Sequence, residues 1–181
     1  MSSTTPISPL IWLDLEFTDL DVNKGVIVEI ATIVTDGNLN ILGTGPDIVI
    51  HHPESILQAM PQWNKKHFGE SGLLEEIRQS VKSTAQAEDE TIDFLKKHCA
   101  PHTALLAGNS IHMDRAYLRN FMPKIYDFVH YRMIDVSTIK ELMHRWYPNL
   151  PDFPKVEPHR AGADILESID ELKYYQTYLF K

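Results

Sequence analysis

Apolar residues fall in short runs in the first third of the chain and at helical spacing after it. Leu10–Glu16 (LIWLDLE) is a nearly continuous apolar run of strand length, as a buried strand requires. Val26–Thr35 is rich in β-branched residues and predicts a second strand. Asp36, Gly37 and Asn38 form a turn signal, so Ile41–Ile50 can return antiparallel and complete a meander. From Glu54 to His98 the pattern is mostly helical, broken near Pro61 and again at Gly69, Ser71 and Gly72. Thr103–Ala107 predicts a short strand ended by Gly108, and His112–Phe121 a helix that stops before Pro123. Tyr131–Val136 predicts a fifth strand. Ser137 then caps a helix to about Trp146, in a capping arrangement with Thr138 and Glu141. Ala161–Leu179 is the last helix, and its Tyr174, Tyr175 and Tyr178 suit a core or subunit interface. Three strands, then helices, then alternating strand and helix make an α/β fold: a mixed five-stranded sheet flanked by helices. Residues 1–9 are expected to be a flexible N-terminal tail and 10–181 a single domain.

The 181 residues suffice for one sizeable core, and 43% hydrophobic with 23% charged residues is ordinary globular composition. Seventeen basic against 25 acidic residues leave a net charge of -8, which argues against coating long nucleic acid. An enzyme gripping a few nucleotides remains compatible, because bound metal ions supply positive charge locally. The lone Cys99 cannot form an internal disulfide and reads as a small, half-buried hydrophobe. No apolar run approaches a membrane span and Met1–Pro9 lacks the pattern of a secretory signal, so a cytoplasmic setting is expected.

The candidate chemistry lies in carboxylates. Asp14 and Glu16 are two apart on a strand and leave the same face, shared with Trp12, while Ile11, Leu13 and Leu15 point the other way. Two solvated acids on an exposed edge strand would give the same spacing, but the surrounding run is too apolar to favour that. Paired hard oxygens instead suit Mg²⁺ or Mn²⁺. Asp114, at a helix start after Gly108-Asn109-Ser110, reads equally as an acid answering the helix dipole. His159 and Asp164, in PHRAGADILESI, read equally as a loop histidine and a first-turn acid. Together the four acids and one histidine form a coherent set: two divalent ions about 4 Å apart can hold a scissile phosphate, and the histidine can take a proton from water.

The stretches LIWLDLEFTDL, VEIATIVTDGNLNIL, AGNSIHMDRAYL, FMPKIYDFVHYRMIDVSTIKEL and HRAGADILESIDELKYY resemble the oligoribonuclease family of DEDDh exonucleases, which have an RNase H-like fold. The likeness runs from Leu10 to about Tyr178. It implies a metal-dependent 3′-to-5′ exoribonuclease that degrades short oligoribonucleotides, dinucleotides above all, to nucleoside 5′-monophosphates. It implies Asp14, Glu16, Asp114 and Asp164 as ligands of two Mg²⁺ or Mn²⁺ ions and His159 as general base. It further implies Leu20 and Trp63 as the surfaces that wedge and stack on bases, although from the residues alone Trp63 serves as well as a core anchor. Ser110 is expected near the reacting groups. Tyr131, Arg132, Ser137 and Thr138 resemble a cap on the substrate's 5′ phosphate, with Tyr131 and Arg132 arriving from the second subunit of a homodimer. An arginine fork beside a helix N-terminus is a good phosphate site.

Some positions depart from the family pattern. Phe17 and Asp19 stand where Met and Gly are usual, and Asp19 adds a charge near the acids. Phe68 stands where many members have His, with His67 one position earlier, and His112 replaces a small residue frequent in bacterial members. The adjacent His51 and His52 face opposite ways on a strand end and read as surface residues rather than a zinc pair. A related exonuclease acting on longer strands, a non-catalytic binding module and a small-molecule phosphodiesterase are the competing readings.

Overall fold

In a computed structural model, residues 8–155 and 159–180 are described. Residues 1–7 of the expected tail lie outside them; Ser8 is exposed and Pro9 precedes the first strand without joining it. Strands β1 (Leu10–Phe17), β2 (Ile27–Thr35), β3 (Ile41–Val49), β4 (Leu105–Gly108) and β5 (Met133–Asp135) form a five-stranded sheet in the order β3-β2-β1-β4-β5. The β1–β2 and β2–β3 pairs are antiparallel, whereas β1–β4 and β4–β5 are parallel, so the sheet is mixed as the pattern predicts.

The strand that carries Asp14 and Glu16 is the middle one, which removes the edge-strand alternative. β2 is buried along its whole length, and β3 forms an exposed edge that carries Pro46, tolerated where a ladder donor is not needed. Ile11, Leu13 and Leu15 enter a core beneath helices α4 (Thr84–His98), α5 (His112–Phe121) and α6 (Pro123–Phe128). Trp12 points to the opposite face, into a second core with α7 (Val136–Trp146) and α8 (Ala161–Leu179). Its buried indole is satisfied, donating Nε1–H to Thr35 Oγ1 at 3.0 Å. The alternation of β1 therefore points both carboxylates toward the side on which α8 begins.

Three short helices, α1 (Glu54–Ala59), α2 (Gln62–Glu70) and α3 (Leu73–Gln79), cover the end of β2 and a smaller core around Val28 and Phe68. Their breaks fall at Pro61 and at Gly72, whose φ of 82° suits glycine. Pro123 does more than end α5: it occupies the first turn of α6, where its missing N–H costs nothing. β4 begins at Leu105 rather than Thr103. β5 shrinks to three residues: Arg132 N–H is taken up by His130 Nδ1 at 3.0 Å, and Val136 already belongs to α7. The expected cap of α7 is also corrected. Asp135, not Ser137, is the N-cap and accepts from Ser137 N–H at 3.0 Å. His52 is half-buried rather than a surface residue, its Nε2 lying 2.8 Å from the Ile27 carbonyl. Cys99 and Tyr175 are buried in the core, while Tyr178 is exposed.

Candidate active site

Three of the four predicted acids meet. Oxygens of Asp14 and Glu16 on β1 and of Asp164 in the first turn of α8 all lie within 4.8 Å of one another. Asp164 is fixed by its own helix start, its Oδ2 accepting from Arg160 N–H at 2.9 Å. Asp114 stands outside this triad but against it. Its Oδ1 accepts from Leu15 N–H at 2.9 Å, which pins α5 to the strand between the two β1 acids.

The electrostatics describe a site short of positive charge. Burial, then the carboxylates of Asp114, Glu16 and Asp164, hold the Asp14 carboxyl well above the usual range. Burial, then Asp164, Glu29 and Asp114, push Glu16 up to about 8. Burial pushes Asp114 up to about 8 despite the opposing bond from Leu15 N–H, and burial raises Asp164 as well. Crowded, desolvated carboxylates become favourable when a cation sits among them. The donors are all hard oxygens, a set that fits a divalent cation such as Mg²⁺ or Mn²⁺.

His159 lies beside the acids, lining the same hollow of about 210 Å³ as Asp14, Glu16, Asn109, Lys155 and Asp164. Its backbone φ is 53°, a left-handed conformation. The imidazole meets the edges of two aromatic rings, with centroids 5.6 Å from Trp63 and 4.7 Å from His67. His67 and Trp63 themselves lie 4.0 Å apart, as neighbours at i and i+4 on α2 must. Out of register with the family histidine in the sequence, His67 is thus a near neighbour of the site. Phe68 turns away into the small core and is 1% exposed.

Next to the acids opens an apolar cleft of about 570 Å³, lined by Glu16, Phe17, Asp19, Leu20, Pro61, Trp63 and Asn64. Leu20 and Trp63 are 75% and 59% exposed, so Trp63 is no core anchor. Phe17 stacks on Tyr117 at 4.4 Å, a packing role that suits an aromatic in place of Met. Asp19 accepts from Asp21 N–H at 2.8 Å and so closes its own turn. A surface groove of about 620 Å³ lies between α4 and α6 across the sheet. Its two lysines pair with acids of the same groove, Lys124 with Asp89 at 2.5 Å and Lys96 with Asp93 at 4.0 Å.

A polar chain links the acids to the start of α7. Asn109 donates to Ser168 Oγ at 2.9 Å and Glu171 Oε2 at 2.8 Å, and accepts from Ser137 Oγ at 2.9 Å. Ser110 N–H donates to Asp135 Oδ1 at 3.0 Å and Ser137 Oγ at 3.1 Å. His112 Nδ1 is 3.4 Å from Asp135 Oδ2, and Thr138 is exposed in the same first turn. Ser110 and Ser137 therefore meet at the start of α7, joined to the acid hollow through Asn109; like Thr138, Tyr131 and Arg132, they line neither the hollow nor the apolar cleft. Tyr131 and Arg132 are exposed, with the Arg132 guanidinium 5.3 Å over the Tyr131 ring. Asn109, Lys155 and Arg160 were not singled out in the sequence; their only signal was proximity to Ser110 and His159.

The exonuclease family model RNase_T matches residues 11–172. A Caenorhabditis elegans protein named probable oligoribonuclease is 53% identical over 171 residues, 94% of this chain and 89% of that one. The oligoribonuclease of Dichelobacter nodosus is 50% identical over 171 residues, 94% of each. Among solved structures, E. coli exonuclease I in complex with an oligonucleotide superposes with a TM-score of 0.71 at 16% identity, over 95% of this chain and 41% of that chain. That likeness is one of fold, and this chain spans about two fifths of exonuclease I.

Proposed function

The chain belongs to the oligoribonuclease family of exonucleases, and from that premise we propose that it releases nucleoside 5′-monophosphates from the 3′ end of very short RNA, with dinucleotides the favoured substrate. As a member of this family it is a metal-dependent 3′-to-5′ exonuclease acting on short RNA. The observation that carries the finer reading is the union of an acid cluster, an adjoining imidazole and a base-sized apolar cleft that share Glu16 as their common wall.

Asp14, Glu16, Asp114 and Asp164 would hold two divalent ions, Mg²⁺ or Mn²⁺, with Asp114 oriented by Leu15 N–H. Those ions would supply Lewis-acid polarisation of the scissile phosphate and of the attacking water. His159 takes the water's proton on a ring nitrogen, its ring steadied by His67 and Trp63. Leu20 and Trp63 receive the bases, and the cleft beside them excludes water from the stacked faces. Ser110, Ser137 and Thr138 border the position of the 5′ phosphate. Tyr131 and Arg132 complete that cap in a homodimer by reaching into the partner subunit's site. Capture of the 3′ end by the acids and of the 5′ phosphate by Arg132 fits two nucleotides and penalises a third. The setting we propose is cytoplasmic, where the single thiol of Cys99 would stay reduced.

The test is cleavage of a 5′-phosphorylated RNA dinucleotide beside a long RNA strand, with Mn²⁺ or with chelator, followed by separation of the mononucleotides. Fast, metal-dependent loss of the dinucleotide with slower loss of the strand is expected. Preference for the long strand would refute the length selection, and no cleavage of either would favour a binding module.

A further inference from the structure

His159 occupies backbone that a residue with a Cβ holds only where its surroundings over-determine it. The next residue provides that constraint. Arg160 donates from Nε and Nη2 to Glu29 Oε1 at 3.0 and 2.9 Å. Its Nη1 and Nη2 reach Glu76 Oε1 and Oε2 at 2.9 and 2.7 Å. Glu29 lies fully buried on β2, and its second oxygen accepts from Ala161 N–H at 3.1 Å. Glu76 belongs to α3, and Arg160 N–H is already committed to Asp164. One side chain thus joins the central sheet, the helical cover and the first turn of α8. A planar guanidinium can grip two carboxylates at once, and an ammonium cannot reproduce that fork. Earlier in the chain, Lys155 is tied to the fully buried Glu171 at 2.7 Å.

We propose that Arg160 is a positioning residue: by bridging Glu29 and Glu76 it fixes the left-handed backbone that presents the His159 imidazole to the acid cluster. The proposal rests on the reading of His159 as general base. The Arg160 guanidinium touches no reacting atom; the backbone N–H that holds Asp164 is kept in every Arg160 variant, and the lysine variant keeps the positive charge felt by Glu16, so the fork's effect on the ring can be read separately. Its benefit is geometric, and a displacement of about 1 Å at a reacting group costs about a hundredfold in rate.

Glu76 is the safer handle, because its side chain is 46% exposed and its loss strands no buried charge. Glu76→Ala and Arg160→Lys would each be made alone and in a His159→Ala background. Turnover of a dinucleotide, Mn²⁺ affinity, melting temperature and the ring resonances of His159 would be followed. The expected result is a fall in kcat of about tenfold for Arg160→Lys, smaller for Glu76→Ala, with KM and Mn²⁺ affinity unchanged. The same changes should cost nothing further once His159 is gone, since residues that act as one unit are not additive. The His159 resonances, set by the Trp63 ring 5.6 Å away, should move in Arg160→Lys. Losses that multiply with His159→Ala, or resonances that stay in place while only the melting temperature falls, would overturn the proposal. If His159→Ala itself keeps the rate, the general-base reading fails, and the resonances still decide whether Arg160 fixes the ring.

Discussion

Stripping divalent cations from the protein should make its stability fall as pH rises, the opposite of the behaviour expected from carboxylates in ion pairs. The unfolded chain ionises Glu16 near 4.5, whereas the folded chain holds its proton up to about 8. Between those values the folded state binds more protons than the unfolded state, so each step upward in pH favours unfolding. The penalty is absent below the unfolded pKa, grows through the interval and is complete once pH passes the folded value. From pH 5 to 8 one such group costs about 3.5 kcal/mol, because a proton held by the folded state alone is worth about 1.36 kcal/mol for each step of one in pH. For a chain of this size that is a fall of about 10 °C in melting temperature. The assay is thermal unfolding in chelator across that range, repeated with excess Mn²⁺. The metal should add little at pH 5, where protons already neutralise the cluster, and most at pH 8. Glu16→Gln should make the slope in chelator shallower, because it removes both the titration of Glu16 and the charge by which Glu16 raises Asp14. A Glu16→Gln protein with the parental slope, or equal stabilisation by Mn²⁺ at both pH values, would refute the reasoning.

Two further outcomes test the substrate surfaces. Trp63→Ala should raise KM for a dinucleotide by about tenfold, the stacking of one base being worth about 1–3 kcal/mol, with the melting temperature nearly unchanged because the side chain is 59% exposed. A collapsed melting temperature with unaltered KM would return Trp63 to a structural role. Arg132→Ala should weaken dinucleotide cleavage far more than cleavage of longer oligomers in steady-state assays, and an equal loss on both would remove Arg132 from length selection.

The legible parts of the fold were those set by local pattern. The alternation of Leu10–Phe17 gave both the inward face and the shared direction of Asp14 and Glu16 because strand geometry has a period of two. The last helix follows from its apolar spacing, and its start at Ala161 puts Asp164 in the first turn. Pro123 marks the end of α5 as the pattern predicts, but the helix it also opens, α6, was not legible, because a proline ends one helix and begins the next with equal ease. Asp135 and Ser137 are both competent caps two residues apart. The choice between them is tertiary, since Ser137 Oγ is drawn away to Asn109. The bond from Arg160 to Glu29 spans 131 residues of sequence, and no local pattern reports it. His67 could have been found: four residues past Trp63, it must share that helix face.

The charge of the whole chain bears on the proposed selection for short substrates. Among the described residues lining the acid hollow and the apolar cleft, the only Lys or Arg is Lys155, and Glu171 already holds it. Arg160, just behind the hollow, is spent on Glu29 and Glu76. A third or fourth nucleotide would therefore bring phosphates to walls that offer no free cation, and longer strands gain affinity chiefly by releasing counterions to such cations. On the proposed reading, binding strength comes instead from metal ions at the scissile phosphate, from stacking on Trp63 and from Arg132 at the far end, three contacts that two nucleotides would saturate. A net charge of -8 would then work for the proposed length selection, by repelling long RNA.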